Sequence, residues 1–151
     1  MTPDFEVIPI GEPRLELLRR EQRMKALIVS GEPIGKGRAR FGQGRTYTPE
    51  RTRVEEDRIA TLWKQVHGSQ PLAGAIRLEI TLFRPGGKRL KWPLATPDAS
   101  NAAKLIEDAL NLLAYTDDSQ ITTLVVKKRI GPAGVAIRVG PDDEALERRE
   151  E

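Results

Sequence analysis

At 151 residues the chain has the length of one domain, enough to bury roughly two-thirds of its unfolded surface in a core. The absence of cysteine excludes disulfides, thiolate metal sites and cysteine nucleophiles, and a single histidine, His67, falls short of what paired-histidine nucleases and Ser–His hydrolases usually require. The net charge of +3 is unevenly spread: residues 141–151 carry −4, residues 1–25 balance, and residues 26–140 carry +7, a body suited to a polyanion.

Residues 1–23 read as an N-terminal extension, punctuated by Pro3, Pro9 and Pro13, with Leu15, Leu17 and Leu18 in a short helix. Residues 24–140 form the main domain, and 141–151 an acidic tail. The β-rich run 26–30 is a first strand, closed by Gly31-Glu32-Pro33. Residues 35–45 are glycine-rich, with four cations (Lys36, Arg38, Arg40, Arg45) and no acid, and read as a loop or ragged hairpin. A helix starts at Thr48-Pro49-Glu50, with Thr48 as cap and Pro49 at the first helical position, and ends near His67 before Gly68. Val54, Ile59, Leu62, Trp63 and Val66 form its apolar face, and His67 is placed to complement its C-terminal dipole.

Residues 75–83 alternate: Ile76, Leu78, Ile80 and Leu82 against Arg77, Glu79 and Thr81, the pattern of a strand with one buried face. A long loop, 84–97, carries Lys88, Arg89 and Lys91 beside Trp92. A second helix is expected over 100–113, then strands at 120–129 and 135–139, joined through Gly131-Pro132-Ala133-Gly134 in a hairpin-like connection. The order β–α–β–α–β–β predicts an α+β domain, a mixed β-sheet with packed helices. No apolar run reaches the ~20 residues of a membrane span and no hydrophobic signal segment opens the chain, so a soluble, cytoplasmic protein is expected.

Chemistry concentrates between Asp98 and Asp118. On the second helix Asn101, Lys104 and Asp108 fall within about 60° of one another, a polar stripe beside the apolar face. Asp98 stands just ahead of that helix, and Asp117-Asp118 just ahead of the next strand. Magnesium takes one or two carboxylates plus water and phosphate oxygens, and a nearby lysine offsets charge on a phosphoryl group. The residues alone leave a second reading open, in which Asp98 or Ser100 caps the helix and the paired aspartates form a solvated turn.

Several motifs in order carry a resemblance: Gly31-Glu32-Pro33 with Lys36, Arg38 and Arg40; Tyr47-Thr48-Pro49; and Pro97-Asp98 with Asn101 and Lys104. They continue in Glu107-Asp108-Ala109-Leu110-Asn111, Tyr115, Asp117-Asp118-Ser119-Gln120-Ile121 and Lys127. Over roughly residues 24–139 the chain resembles the RusA family of Holliday-junction resolvases. The resemblance implies a RusA-like fold, a homodimer, branched DNA (a four-way junction) as substrate and Mg2+ as cofactor. It implies paired nicks that leave 5′-phosphate and 3′-hydroxyl ends, in DNA recombination and repair. Asp98 and Asp118 would hold the metal, Asp117 would support them, and Lys104 would be the active-site lysine. Lys36, Arg38, Arg40 and Arg45 would neutralise phosphates, with Arg51, Arg53 and the 88–91 cations as further candidates.

One position departs from the family pattern. Ser100 stands where family members often carry a second aspartate, so the site lacks one anionic ligand unless Asp108 or Glu79 supplies it. The alternative expectation is therefore a branched-DNA-binding module with weak or no cleavage.

Overall fold

The computed structural model describes residues 23–37, 40–42, 45–47, 49–86 and 94–145. The extension up to residue 22, Arg38, Thr48, the 87–93 part of the basic loop and the tail beyond 145 lie outside the described residues. In chain order the elements are β1 (Lys25–Ser30), β2 (Arg40–Gly42), β3 (Arg45–Tyr47), α1 (Glu50–His67), β4 (Ile76–Arg84), α2 (Ala99–Leu110), β5 (Ile121–Ile130) and β6 (Gly134–Pro141). The expected α+β class with a mixed sheet holds: β1, β6, β4 and β5 form one four-stranded sheet in that order, and only β4 and β5 run parallel. The ragged hairpin is the small antiparallel ladder β2–β3, in which Arg40 opposes Tyr47 and Gly42 opposes Arg45.

The alternation in β4 does what its period requires. Ile76, Leu78, Ile80 and Leu82 are buried, together with Ile137 and Val139 of β6 and Leu27 and Val29 of β1. Against this face pack Ile59 and Trp63 of α1 and Ala102, Leu105, Ile106, Ala109 and Leu110 of α2. The other face carries Arg77, Glu79 and Arg138 in ion pairs, and Ile28 is 79 % exposed. The free edge of β1 is protected, since Arg58 donates to the Ser30 carbonyl and the His67 ring nitrogen lies 2.8 Å from the Ala26 carbonyl. His67 also rests on Trp63, with ring centroids 4.5 Å apart, so it ties α1 to β1.

Four expectations need correction. The hairpin between the last two strands does not form, because β4 lies between β5 and β6. Skipping one strand means crossing about 9.6 Å, within reach of the short Gly131–Ala133 link. The link passes over the end of β4: Gly131 N–H donates to Arg84 O at 2.9 Å, and a Cβ on Gly131 would lie 3.0 Å from the Phe83 ring. Helix α2 ends at Leu110, not Leu113, because Leu112 takes a left-handed φ of 69° and the fully buried Tyr115 folds back beneath it. Pro49 is the N-cap of α1, with Glu50 the first helical residue. Val54 and Val66 are exposed: Val54 lies about 140° around the helix from Ile59, and Val66 sits in the last turn.

Candidate active site

Three segments meet at one edge of the domain: the loop 31–37, the start of α1 and the start of α2. They enclose a cleft of about 640 Å³ whose lining includes Lys36, Arg51, Thr52, Arg84, Asp98 and Asn101. Asp98 is the N-cap of α2, its Oδ1 accepting from Asn101 N–H at 2.8 Å and from the Ser100 hydroxyl at 3.4 Å. The capping role open in the sequence is thus real, but it occupies only Oδ1 of an exposed carboxylate. Arg84 donates to Thr96 O at 3.0 Å and reaches Glu32 at 3.4 Å, bracing the turn ahead of Asp98.

The loop is stitched to both helices. Lys36 N–H donates to Asn101 O at 3.1 Å, and Gly37 N–H to the buried Thr52 hydroxyl at 2.9 Å. Glycine is needed for this approach: a Cβ at Gly35 would fall 2.5 Å from Asn101 Nδ2, and one at Gly37 would fall 2.8 Å from Thr52 Oγ1. The Lys36 ammonium is turned inward, ion-paired with Asp108 of α2 and 3.6 Å from Glu56 of α1. Partial burial works against its charge, but Asp108 and then Glu56 outweigh this and hold its pKa above the ordinary value. Glu56 is itself pushed up, by burial first, despite the pull of Lys36.

Along α2, Lys104 is exposed on the same side as Ser100 and Glu107, offsets 0, 4 and 7 bringing the three within about 60°. The Glu107 carboxyl is raised by burial, drawn down by Lys104 and pushed up again by Asp118 and Asp108. Asp118 therefore lies within electrostatic reach of the second half of α2, whereas Asp98 begins its first turn. Asp118 opens the 3₁₀ turn Asp118–Gln120, which Asp117 caps. The Asp117 carboxylate accepts from the Ser119 hydroxyl and backbone, which lowers its pKa, and Gln120 Oε1 accepts from Thr116 N–H and Asp117 N–H. Hydrogen bonds thus quiet the Asp117 charge and leave Asp118 half-exposed beside it.

Tyr115 secures the approach to this turn. Its hydroxyl donates to Glu107 O at 2.6 Å, a carbonyl near the helix end that needs a partner once Asn111 N–H has turned to Asp108 O. Of the two reserve carboxylates, Asp108 is engaged by Lys36, and Glu79 faces Arg77 and Arg138 on the far side of the sheet. Among the described residues no three acids converge closely enough to hold a metal by themselves. The side chains of Arg40 and Arg45, like the whole of Arg38, lie outside the described residues.

Sequence reasoning missed Thr52, Glu56 and Arg84, and named Glu107 only within its motif, without a role. For two of these a signal existed. Thr52, Glu56, Ile59 and Trp63 share one face of α1, so the inward face turns polar in its first half, where it meets the cleft instead of the sheet.

Exposed carboxylates, a lysine and a cationic cleft are the inventory of a phosphodiester-cleaving enzyme. The chain matches the family model described as Endodeoxyribonuclease RusA over residues 30–140, and it belongs to that family, whose members are nucleases acting on DNA junctions. It is also similar to an uncharacterized protein, YqaN, of Bacillus subtilis (strain 168), with 29 % identity over 118 residues, 66 % of this chain and 83 % of that protein. Among the described residues no helix is long and apolar enough to cross a membrane.

Proposed function

We propose that the protein is a Mg2+-dependent, structure-selective endonuclease that resolves four-way DNA junctions by paired nicks in recombination and repair. The observation that carries this reading is Asp98 at the mouth of a cationic cleft, with Lys104 exposed on the same helix and Asp118 opening the turn beyond it. Asp98 commits only Oδ1 to its helix, which leaves Oδ2 for a cation, and Asp118, toward the other end of α2, offers a carboxylate from a separate element. Oxygen donors of this kind suit a hard ion that retains most of its water. Magnesium bound there would polarise the scissile phosphate and acidify the attacking water.

The chain's own residues do the rest. Lys104 faces the charge that builds on the phosphoryl oxygens. Asp117, fixed by Ser119 and Gln120, holds Asp118 in place. Arg40 and Arg45, on the β2–β3 hairpin, together with Arg38 neutralise backbone phosphates, and Arg51 and Arg84 line the cleft itself. A homodimer would present two such sites related by a two-fold axis, which matches the approximate symmetry of a junction and the need for two nicks.

The test compares a labelled synthetic four-way junction with a linear duplex of the same sequence, with magnesium or EDTA, alongside Asp118→Asn. Paired nicks confined to the junction, and abolished by EDTA and by the substitution, are expected. Tight junction binding without any cut would instead favour a binding module, the reading that Ser100 supports by spending its hydroxyl on Asp98.

A further inference from the structure

We infer that Lys36 is a positioning residue: its ammonium, gripped by Asp108 and Glu56, closes the glycine loop over α2 and sets the wall of the cleft beside Asp98. This inference rests on the nuclease reading above for its catalytic consequence, and on the fold alone for the latch.

One side chain adds a charged cross-link to the backbone contacts that place the loop. Between Gly35 and Gly37 the backbone touches both helices, through Lys36 N–H to Asn101 O and Gly37 N–H to Thr52 Oγ1. Among the described residues two backbone hydrogen bonds hold these three residues, two of them glycines with the largest conformational entropy to lose. The Lys36 side chain adds the cross-link, joining α2 through Asp108 and α1 through Glu56. Asn101, whose carbonyl receives the loop, is the residue whose N–H holds the Asp98 carboxylate. A loosened loop therefore acts directly on the turn that presents Asp98.

The charges argue against Lys36 as a free phosphate contact. One ammonium stands between two carboxylates, all three side chains being about a quarter exposed, so turning it to DNA would leave both acids unpaired against a polyanion. Its role thus differs from that of Arg38, Arg40 and Arg45, although all four belong to one basic stretch of sequence.

A double-mutant cycle separates the two roles, with Lys36→Met, Asp108→Asn and their combination. Three quantities are read: junction cleavage rate, the slope of log Kd against log salt, and hydrogen exchange of the 31–37 amides. For a latch, each single variant lowers cleavage about ten- to hundredfold, the double is no worse than either, the salt slope stays put and loop exchange accelerates alike in all three. The swapped pair Lys36→Asp with Asp108→Lys, which keeps one cation among the same acids, should recover most of the rate and the protection. A salt slope reduced by about one in Lys36→Met, with Asp108→Asn harmless, would make Lys36 a phosphate contact and overturn the inference. If the wild type cuts nothing, the nuclease reading fails alone. The latch is then decided by exchange, where additive or absent effects refute it.

Discussion

Replacing Tyr115 by Phe removes one hydroxyl and leaves the buried ring in place. The residue is 0 % exposed, and its hydroxyl is the donor that satisfies Glu107 O at the end of α2. Burial first, then the Glu107, Asp118 and Asp108 carboxylates, push the phenol well above its ordinary pKa, so it remains a donor at any assay pH. Loss of a neutral hydrogen bond costs about 1 kcal/mol net, and about 3 kcal/mol if the carbonyl stays unpaired out of reach of water. With a urea m-value of about 2 kcal/mol/M, the midpoint of unfolding should fall by roughly 0.5–1.5 M at unchanged m. Urea titration followed by far-UV circular dichroism measures it. A shift below about 0.2 M would mean that water replaces the hydroxyl, and that the early end of α2 has another cause. Tyr115→Leu should cost a further ~2 kcal/mol or more, since it also removes ring contacts from the core.

Asp142 is buried and accepts from the Thr122 and Thr123 hydroxyls, each at 2.6 Å. Burial opposes its charge, yet those bonds and Arg77 prevail and depress its pKa, so its stabilisation is present above the unfolded value of about 3.9 and is lost as pH falls through the lower folded value. Chemical denaturation from pH 5 to pH 2 should show this loss in the wild type and a flatter profile in Asp142→Asn; equal profiles would assign acid sensitivity elsewhere. Ser100→Asp should lower the magnesium concentration for half-maximal cleavage, read by metal titration, and an unchanged requirement would show that no acid is missing. Gly35→Ala places a methyl 2.5 Å from Asn101 Nδ2 and 3.1 Å from Pro97 Cβ, and should destabilise by about 1–3 kcal/mol in thermal or urea unfolding while reducing cleavage more than Gly68→Ala, which strains a left-handed φ at the far end of α1 but crowds nothing.

The elements that could be read from the sequence were those whose burial is decided locally. β4 shows its buried face as strict alternation, and α1 declares its end through Gly68, whose φ of 71° suits glycine. The neighbour of β6 could not be read that way. A short Gly-Pro link between two apolar runs is the signal of a hairpin, and only the demand for a partner on the open side of β4 sends β6 across it. The early stop of α2 was hidden for a similar reason. Leu112 and Leu113 continue an apolar pattern, and the chain turns because Tyr115 has a place under the helix that only the assembled core provides.

The site shows the same division between what spacing fixes and what assembly decides. Helical offsets correctly put Asn101, Lys104 and Asp108 on one polar side of α2, but offsets do not say which of them a neighbour will claim. The loop 31–37 docks on the Asn101 backbone carbonyl, which leaves the Asn101 amide lining the cleft, and claims Asp108 through Lys36. That matters for the position where Ser100 replaces an acid. Glu79 lies across the sheet, Asp108 neutralises a lysine, and the Ser100 hydroxyl is spent on Asp98. The start of α2 is thus left with the Asp98 carboxylate, while Glu107 and Asp118 stand toward its other end. With less negative charge than the family pattern provides, a magnesium ion at Asp98 would depend more on substrate phosphate oxygens for its ligands. Metal and DNA should then bind cooperatively, a coupling that Ser100→Asp would weaken.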